Sequence, residues 1–226
     1  MPLRKVPLVT NEIYHIFNRT VANEPLFTNV KEYKIFVKTI EYYSYVNTPF
    51  RFSHYLKLNN KEKQALLNTL YQNKKLVEIY SYCLMPNHYH LLVKQLVDKG
   101  ISNYMRFSQN SYAKYLNLKK KRNGAVFQSP FKAVRIETGE QFMHVARYIH
   151  LNPFTGFVID SLDKLKDYEW SSYKDYLGKR ASKFLVTNYL KSFYKNNNEF
   201  EQFVLNQADY QRKIKQVKHL IPDVYS

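Results

Sequence analysis

His88-Tyr89-His90 is the triplet whose residue types and spacing best suit the binding of a metal ion. The surrounding residues have the pattern of a strand, in which side chains two apart point to the same face. Both imidazoles would therefore reach one ion while Tyr89 points away. Two imidazoles suit a first-row divalent metal, whose shell a carboxylate, an amide or water completes. The triplet alone is a weak indication, because histidine pairs on strands also occur as ordinary hydrogen-bonded residues.

A second group of candidate residues lies on a segment that we predict to be a helix, from Gly139 to Asn152 and stopped by Pro153. Tyr148 and Asn152 are four residues apart, so they lie one turn apart on one side of this helix. They would offer a phenolic oxygen and an amide oxygen to the same site. Packing of Tyr148 at the edge of a buried stripe, with Asn152 capping the helix end, explains the spacing equally well.

Hydrophobic patterning predicts the elements that position these side chains. Strands are expected at 12–19, 77–84, 88–95 and 132–137, and helices from about Lys31, at 61–72, 101–118 and 139–152. This order is close to the split βαβ arrangement of a ferredoxin-like α+β domain with an antiparallel sheet. Such a fold serves many functions and does not by itself indicate one.

The composition predicts a polyanionic partner. Lys plus Arg number 35 against 18 Asp plus Glu, which gives a formal net charge of +17. A surplus this large favours nucleic acid as the partner, with an anionic membrane surface as the second candidate. The 21 Tyr and 15 Phe residues, interleaved with basic residues, suit a groove that tracks phosphates and stacks bases. Most of these rings are nevertheless expected in packing roles.

The cysteine content and the lack of long apolar segments indicate the cellular environment. Cys83 is the only cysteine, which excludes an intramolecular disulfide and a zinc site built from cysteines. The first residues lack the apolar stretch of a signal peptide, and no segment approaches the roughly 18 apolar residues of a membrane span. We therefore expect a cytoplasmic protein that does not bind a membrane.

Five short stretches, spread in order along the chain, resemble the REP-associated tyrosine transposases, a branch of the HUH single-tyrosine transposases. These stretches cover residues 14–19, 82–92, 127–132, 147–153 and 170–173. The run of methionine, proline, asparagine and histidine at 85–88 is the most specific of them. The resemblance implies the same ferredoxin-like fold, and the chain beyond about Lys179 has the pattern of a helical C-terminal extension.

The resemblance also implies a role for each of four side chains. His88 and His90 match the two histidine metal ligands, Tyr148 matches the nucleophilic tyrosine, and Asn152 matches the third, amide-bearing ligand position. The implied cofactor is Mg²⁺ or Mn²⁺. The implied reaction is metal-dependent cleavage and transfer of single-stranded, hairpin-bearing DNA through a 5′-phosphotyrosine intermediate. The alternatives are a domesticated protein that binds specific DNA without cleaving it and an RNA-binding module.

Basic residues near these stretches are candidates for DNA contacts, because Lys and Arg bind phosphates without reading the sequence. They are Arg19, Lys114, Lys119, Lys120, Lys121, Arg122, Lys132 and Arg135. Gln128 is a candidate for reading a base edge. The sequence identifies no general base. Water, His144 or His150 could serve, although both histidines are expected at the helix surface or in local hydrogen bonds.

The extent of the resemblance and the residue patterns together set the expected domain organisation. We expect a catalytic domain over residues 1–178, with an insertion at 47–76, and a basic helical extension over 179–226. The oligomeric state stays open between monomer and homodimer. Other single-tyrosine transposases exchange the catalytic helix between two subunits, whereas REP-associated relatives work as monomers.

Overall fold

The computed structural model describes residues 7–213, which are built around one antiparallel sheet. Its strands are β1 (Ile13–Arg19), β2 (Val77–Met85), β3 (His88–Gln95) and β4 (Lys132–Ile136). Their order is β2-β3-β1-β4, with β1 antiparallel to β3 and β4, and β2 antiparallel to β3. This is the order of a split βαβ domain, so the predicted α+β fold is confirmed.

The helices pack on both faces of the sheet. The α-helices that lie before residue 206 are α1 (Val30–Tyr42), α2 (Phe52–Lys57), α3 (Asn60–Tyr71), α4 (Gly100–Lys119), α5 (Gly139–Thr155), α6 (Tyr173–Tyr176), α7 (Asn188–Lys191) and α8 (Asn197–Leu205). α1 and α4 contact each other on one face, and α5 contacts β2 and β3 on the other. Within residues 7–213, no helix combines the length and apolar character needed to cross a bilayer.

The sheet separates two hydrophobic cores because alternate residues of each strand point to opposite faces. On β3, Tyr89 and Leu91 are buried with the residues of α1 and α4, whereas Leu92 is buried with those of α5. The core beneath α5 also contains Cys83 and Ile149. His88 and His90 share the face of Leu92, so the candidate site lies on the α5 side of the sheet.

Residues 47–76, which we predict to be an insertion, fold into α2 and α3, which extend the core beside α1. α3 begins one residue before its predicted start and is held by a capping box. In this box Asn59 Oδ1 accepts from the N–H of Glu62 at 3.0 Å, and Glu62 Oε2 accepts from the N–H of Asn59 at 2.8 Å. The sequence does not predict α2, because so short a helix shows no clear period. Its Phe52 and Tyr55 are nevertheless fully buried.

The end of α5 differs from the prediction. The helix continues to Thr155 and contains Pro153 in its last turn, so the expectation that this proline stops it at Asn152 is wrong. The φ angle of proline is compatible with a helix, and its missing N–H removes only one hydrogen bond. The Pro153 carbonyl accepts the N–H groups of Val158 and Ile159 at 2.9 and 3.0 Å, which stabilises the turn that follows.

The described part of the C-terminal extension packs against α5. Phe200 and Val204 of α8 are buried in the same core as Ile149 of α5. Arg147 of α5 is buried as well, and its Nη1 donates to the carbonyl of Phe203 at 3.4 Å. The extension therefore supports the helix that carries Tyr148.

Candidate active site

The candidate metal ligands of β3 lie on one face of the sheet, next to polar and aromatic residues of β1. The antiparallel register places Arg19 opposite His88, and Phe17 opposite His90. Residues directly opposite each other share a face, and side chains alternate along a strand. His15, two residues before Phe17, therefore lies on the same face as both histidines of the triplet.

The two histidines of the triplet lie side by side, as their spacing predicts. Their ring centroids are 5.2 Å apart and the ring planes are inclined by 85°. Nδ1 of His90 lies 2.9 Å from Nε2 of His15, whose ring stacks on it with centroids 5.1 Å apart. Nδ1 of His88 lies 2.6 Å from Oδ1 of Asn87 in the turn between β2 and β3. Both Nδ1 atoms are thus hydrogen-bonded to protein groups.

Tyr148 extends from α5 to this group of rings. Its ring meets that of His90 edge-on, with centroids 5.5 Å apart and planes at 89°, and it meets His15 at 5.9 Å and 75°. Tyr148 is half-buried, whereas Asn152 is fully buried one turn later. Nδ2 of Asn152 donates to the backbone carbonyl of Tyr148 at 2.9 Å. The phenol and the histidine pair are therefore brought together within a single chain.

The protein environment shifts the pKa of two groups in this cluster. Burial raises the pKa of the Tyr148 phenol above its ordinary value of 10.0, and Cys83 adds to the rise. A hydrogen bond with the Asn152 side chain and the charge of Arg19 lower this pKa, but burial prevails, so the phenol keeps its proton at neutral pH. Burial lowers the pKa of His15 from 6.5 to about 4, which leaves its imidazole neutral.

Two imidazoles and one amide are the groups here that could hold a divalent metal ion. Within residues 7–213, no group of three or more His, Cys, Asp or Glu side chains is suited to a metal. His88 and His90 would supply nitrogen ligands and Asn152 an amide oxygen, a set that suits a divalent ion with positions left for water or phosphate oxygens. This set carries no negative charge to repel a phosphate. The residues therefore fit the ion that the resemblance implies.

Three of the predicted DNA-contact residues border this cluster. Arg19 is exposed at the end of β1, and Lys132 lies opposite Phe17, so both share the face of the histidines. Gln128 is exposed, and its backbone N–H donates to the Arg19 carbonyl at 2.9 Å. Val134 on the same face is 53% exposed, so the part of the sheet over β1 and β4 stays open beside α5.

A second set of basic candidates lies at the C-terminal end of α4. Lys114, Lys121 and Arg122 line an open cavity of about 660 Å³. α4 packs on the sheet face opposite α5, so this cavity is separate from the histidine cluster. Arg122 also pairs with Glu24 at 2.6 Å.

The remaining basic candidates are engaged by other protein groups. Nζ of Lys119 lies 2.8 Å from the buried carboxylate of Glu32, and Nζ of Lys120 donates to a backbone carbonyl at 3.4 Å. Arg135 lies opposite Tyr14 on the face away from the histidines and pairs with Glu12 at 2.8 Å. These three residues are not brought to the site.

The two histidines considered as general bases have other neighbours. His150 is fully buried, with Nε2 2.9 Å from Oγ of Ser172, and burial lowers its pKa to about 3. The expected surface or local position is therefore wrong for His150, because its ring fills a space beside Tyr176. His144 is exposed and contacts Arg147.

His15 and Asn87 have no role that the sequence alone predicts, although both lie in stretches that resemble the family. The period of two along β1 would place His15, Phe17 and Arg19 on one face. Which residue of β3 lies opposite each of them depends on the strand register, and no pattern within β1 alone determines it. The contact between His15 and His90 therefore emerges only from the structure.

Comparisons with known proteins agree with the fold and with the resemblance of the sequence motifs. A model of the IS200-like transposase family matches residues 41–152, a range that includes both triplet histidines, Tyr148 and Asn152. A solved structure described as a REP-associated tyrosine transposase bound to a REP hairpin has the same fold. Its TM-score is 0.54 at 14% identity, over 82% of this chain and 92% of that chain. No curated protein matches the sequence. The chain thus resembles the IS200-like transposases over residues 41–152, just under half of its length, in agreement with its sequence motifs.

Proposed function

We propose that this protein cleaves and rejoins single-stranded DNA in the cytoplasm, using Tyr148 as the nucleophile and a divalent metal ion as cofactor. The observation that carries the proposal is the position of the Tyr148 ring, 5.5 Å from that of His90 on the sheet face that also holds His88. A phenol beside two imidazoles suits a metal-assisted attack on a phosphate, because the imidazoles can hold the ion next to the nucleophile.

The proposed reaction forms one bond and breaks another at the same phosphorus. The phenolic oxygen of Tyr148 bonds to the scissile phosphorus as the bond to the 3′ oxygen breaks, which leaves a 5′-phosphotyrosine and a 3′-hydroxyl. The phenol proton passes to water, and the leaving 3′ oxygen takes up a proton. Attack of a second 3′-hydroxyl on the phosphotyrosine reverses the step and joins strands, so no nucleotide cofactor is consumed.

The residues of the chain hold the reacting groups in place. α5 packs on the sheet and presents the phenol, while Asn152 fixes the same turn through its bond to the Tyr148 carbonyl. Arg19 favours the phenolate by its charge. When bound to His88, His90 and Asn152, Mg²⁺ or Mn²⁺ would act as a Lewis acid on the phosphate oxygens.

We further propose that the substrate is a strand that bears a hairpin. The formal charge of +17 supports a nucleic-acid partner, and a structure with the same fold is described as bound to a REP hairpin. The open sheet face bordered by Arg19, Gln128 and Lys132 suits the unpaired strand at the scissile phosphate. The basic cavity at the end of α4 suits a more distant stretch of phosphates.

A covalent-capture experiment tests this function. The wild-type protein is incubated with Mn²⁺ and a labelled pool of hairpin oligonucleotides with randomised single-stranded flanks. We expect a protein–DNA adduct that survives denaturing electrophoresis, and sequencing its DNA gives the cleavage site. Tyr148→Phe should bind the pool but form no adduct, whereas Tyr189→Phe, which removes an exposed hydroxyl on α7, should behave as wild type.

Each outcome of that experiment has one meaning. An adduct that depends on Tyr148 supports the transesterase. Binding to the pool without any adduct, in the presence of Mn²⁺ or Mg²⁺, contradicts it and supports a DNA-binding protein that does not cleave. If RNA of the same sequence competes with the DNA pool and binds more tightly, again without an adduct, the protein is an RNA-binding module.

A further inference from the structure

The hydrogen bond between Asn87 and His88 determines which nitrogen of His88 carries its proton. An amide oxygen only accepts hydrogen bonds, so the 2.6 Å contact between Asn87 Oδ1 and His88 Nδ1 requires a proton on Nδ1. A neutral imidazole carries one proton on its two nitrogens. The lone pair of neutral His88 is therefore on Nε2, the nitrogen that can bind a metal ion.

The bond between His15 and His90 admits two proton arrangements. The contact joins Nε2 of His15 to Nδ1 of His90 at 2.9 Å. If His90 donates, its lone pair lies on Nε2, as in His88. If His15 donates instead, Nε2 of His90 carries a proton and cannot bind a metal ion while the ring is neutral. Only the first arrangement gives both triplet histidines the same ligating atom.

We propose that His15 and Asn87 are positioning residues that hold His90 and His88 in the Nδ1–H tautomer and direct both Nε2 atoms at one divalent ion. This inference rests on the proposed function. Hydrogen-bond partners of this kind fix the tautomer and the orientation of a histidine ligand, and their loss typically weakens metal binding by about 10- to 100-fold. His15 is not itself a ligand of the ion, and it acts only through its hydrogen bond with His90.

Burial and ring contacts hold the His15 side chain in place for this role. His15 is only 9% exposed on β1, and its ring centroid lies 5.0 Å from that of Phe17. The same ring contacts Tyr148 at 5.9 Å. A single buried imidazole thus contacts both a predicted metal ligand and the predicted nucleophile, and so fixes the position of one relative to the other.

Nuclear magnetic resonance tests the tautomers without any metal or DNA. Long-range ¹H–¹⁵N spectra of the metal-free wild-type protein distinguish the protonated from the unprotonated nitrogen of each imidazole. We expect His15, His88 and His90 all to carry the proton on Nδ1. A proton on Nε2 of His88 or His90 overturns the inference. Single His→Gln variants at these positions assign the signals.

Metal affinity provides the second measurement. The Mn²⁺ dissociation constant is measured from the electron paramagnetic resonance signal of the free hydrated ion. We expect His15→Phe to weaken binding about 10-fold or more, because the ring shape stays and the acceptor is lost. His15→Gln, whose amide oxygen can accept from His90, should recover most of the affinity. His54→Phe, a change at an exposed histidine on α2, is the control.

Asn87 is tested in the same way. Asn87→Leu should weaken Mn²⁺ binding about 10-fold, whereas Asn87→Asp, which keeps an acceptor at this position, should bind at least as tightly as wild type. Equal affinity of the wild type, His15→Phe and Asn87→Leu would overturn the positioning role. Wild-type protein with Nδ1–H tautomers but no affinity for Mn²⁺ or Mg²⁺ would instead contradict the proposed metal-dependent function and leave the tautomer assignment intact.

Discussion

At the scale of single residues, opposing influences act on the phenol of Tyr148. Burial against the sheet and the neighbouring Cys83 raise its pKa, while the Asn152 hydrogen bond and the Arg19 charge lower it. The balance leaves the pKa above 10.0, so only a small fraction of the phenol is ionised at neutral pH. Each group that lowers this pKa therefore increases the fraction of the protein in which the phenol is ionised and able to attack a phosphate.

We expect Arg19→Gln to slow formation of the covalent adduct several-fold at neutral pH. Removal of the cation raises the pKa of the phenol further, so a higher pH is needed to reach the same ionised fraction. The measurement is the single-turnover rate of adduct formation from about pH 6 to pH 9.5 at saturating DNA. Arg106→Gln on the exposed side of α4 is the control. Equal rates of the wild type and Arg19→Gln at saturating DNA would show that Arg19 acts only through DNA affinity.

The pair between Glu32 and Lys119 predicts a stability effect. Glu32 is fully buried, yet the bonds from Lys119 and Thr28 outweigh the effect of burial and hold its pKa below 4.5. We expect Lys119→Met to lower the free energy of unfolding by about 2 kcal/mol at neutral pH, less than for a fully buried pair because Lys119 is partly exposed. Urea denaturation measures this change, with Lys121→Met as the control.

The sign of the pH dependence follows from the lowered pKa of Glu32. A carboxylate with a depressed pKa in the folded state stabilises the fold above its unfolded pKa, and this stabilisation disappears as the pH falls through the folded pKa. The difference in unfolding free energy between the wild type and Lys119→Met should therefore shrink below about pH 4. A difference that stays constant in acid would contradict an electrostatic origin.

At the scale of elements, the position of Tyr148 depends on how α5 is held between the sheet and α8. Arg147, the residue before Tyr148, points to the other side of the helix and is 4% exposed. Its guanidinium donates to the Phe203 carbonyl and to Oε1 of Gln207, and it lies 4.5 Å from the centroid of the Phe203 ring. These contacts tie α5 to the C-terminal extension.

We expect Arg147→Met to lower the free energy of unfolding by about 2 kcal/mol, because it removes the hydrogen bonds that a buried guanidinium makes with Phe203 and Gln207. Adduct formation should slow as well, since α5 is held less firmly, while DNA affinity stays within about 2-fold because Arg147 is buried. Arg106→Met is a matched control, because Arg106 also lies over a phenylalanine ring, at 4.4 Å, but on an exposed surface. Equal effects of both substitutions would rule out a role for the α5–α8 contact.

The sequence predicts those strands and helices whose hydrophobic residues recur with a clear local period. Every strand and the long helices show their period in the sequence, and each is present in the structure. The placement of Arg135 away from the site depends on how β1 pairs with β4. Pairings of this kind join residues far apart in sequence, so no local pattern specifies them.

At the scale of the whole molecule, one chain contains all the parts of the predicted site. The Tyr148 ring lies 5.5 Å from that of His90 in the same chain, and the C-terminal extension packs against α5, the helix that carries Tyr148. A chain arranged in this way has no need of a partner subunit to deliver the tyrosine. We therefore expect the nucleophile to act in cis, on DNA bound by its own histidines.

Complementation between inactive variants tests cis delivery. Tyr148→Phe lacks the nucleophile and His88→Ala lacks a predicted metal ligand, so neither should form an adduct alone. If the tyrosine acts in cis, a mixture of the two, unfolded in urea and refolded together, should also form none. Exchange of α5 between subunits would create one complete site in each mixed dimer and restore part of the wild-type adduct. Wild-type protein taken through the same refolding provides the reference, so an inactive mixture beside an active reference excludes poor refolding as the cause.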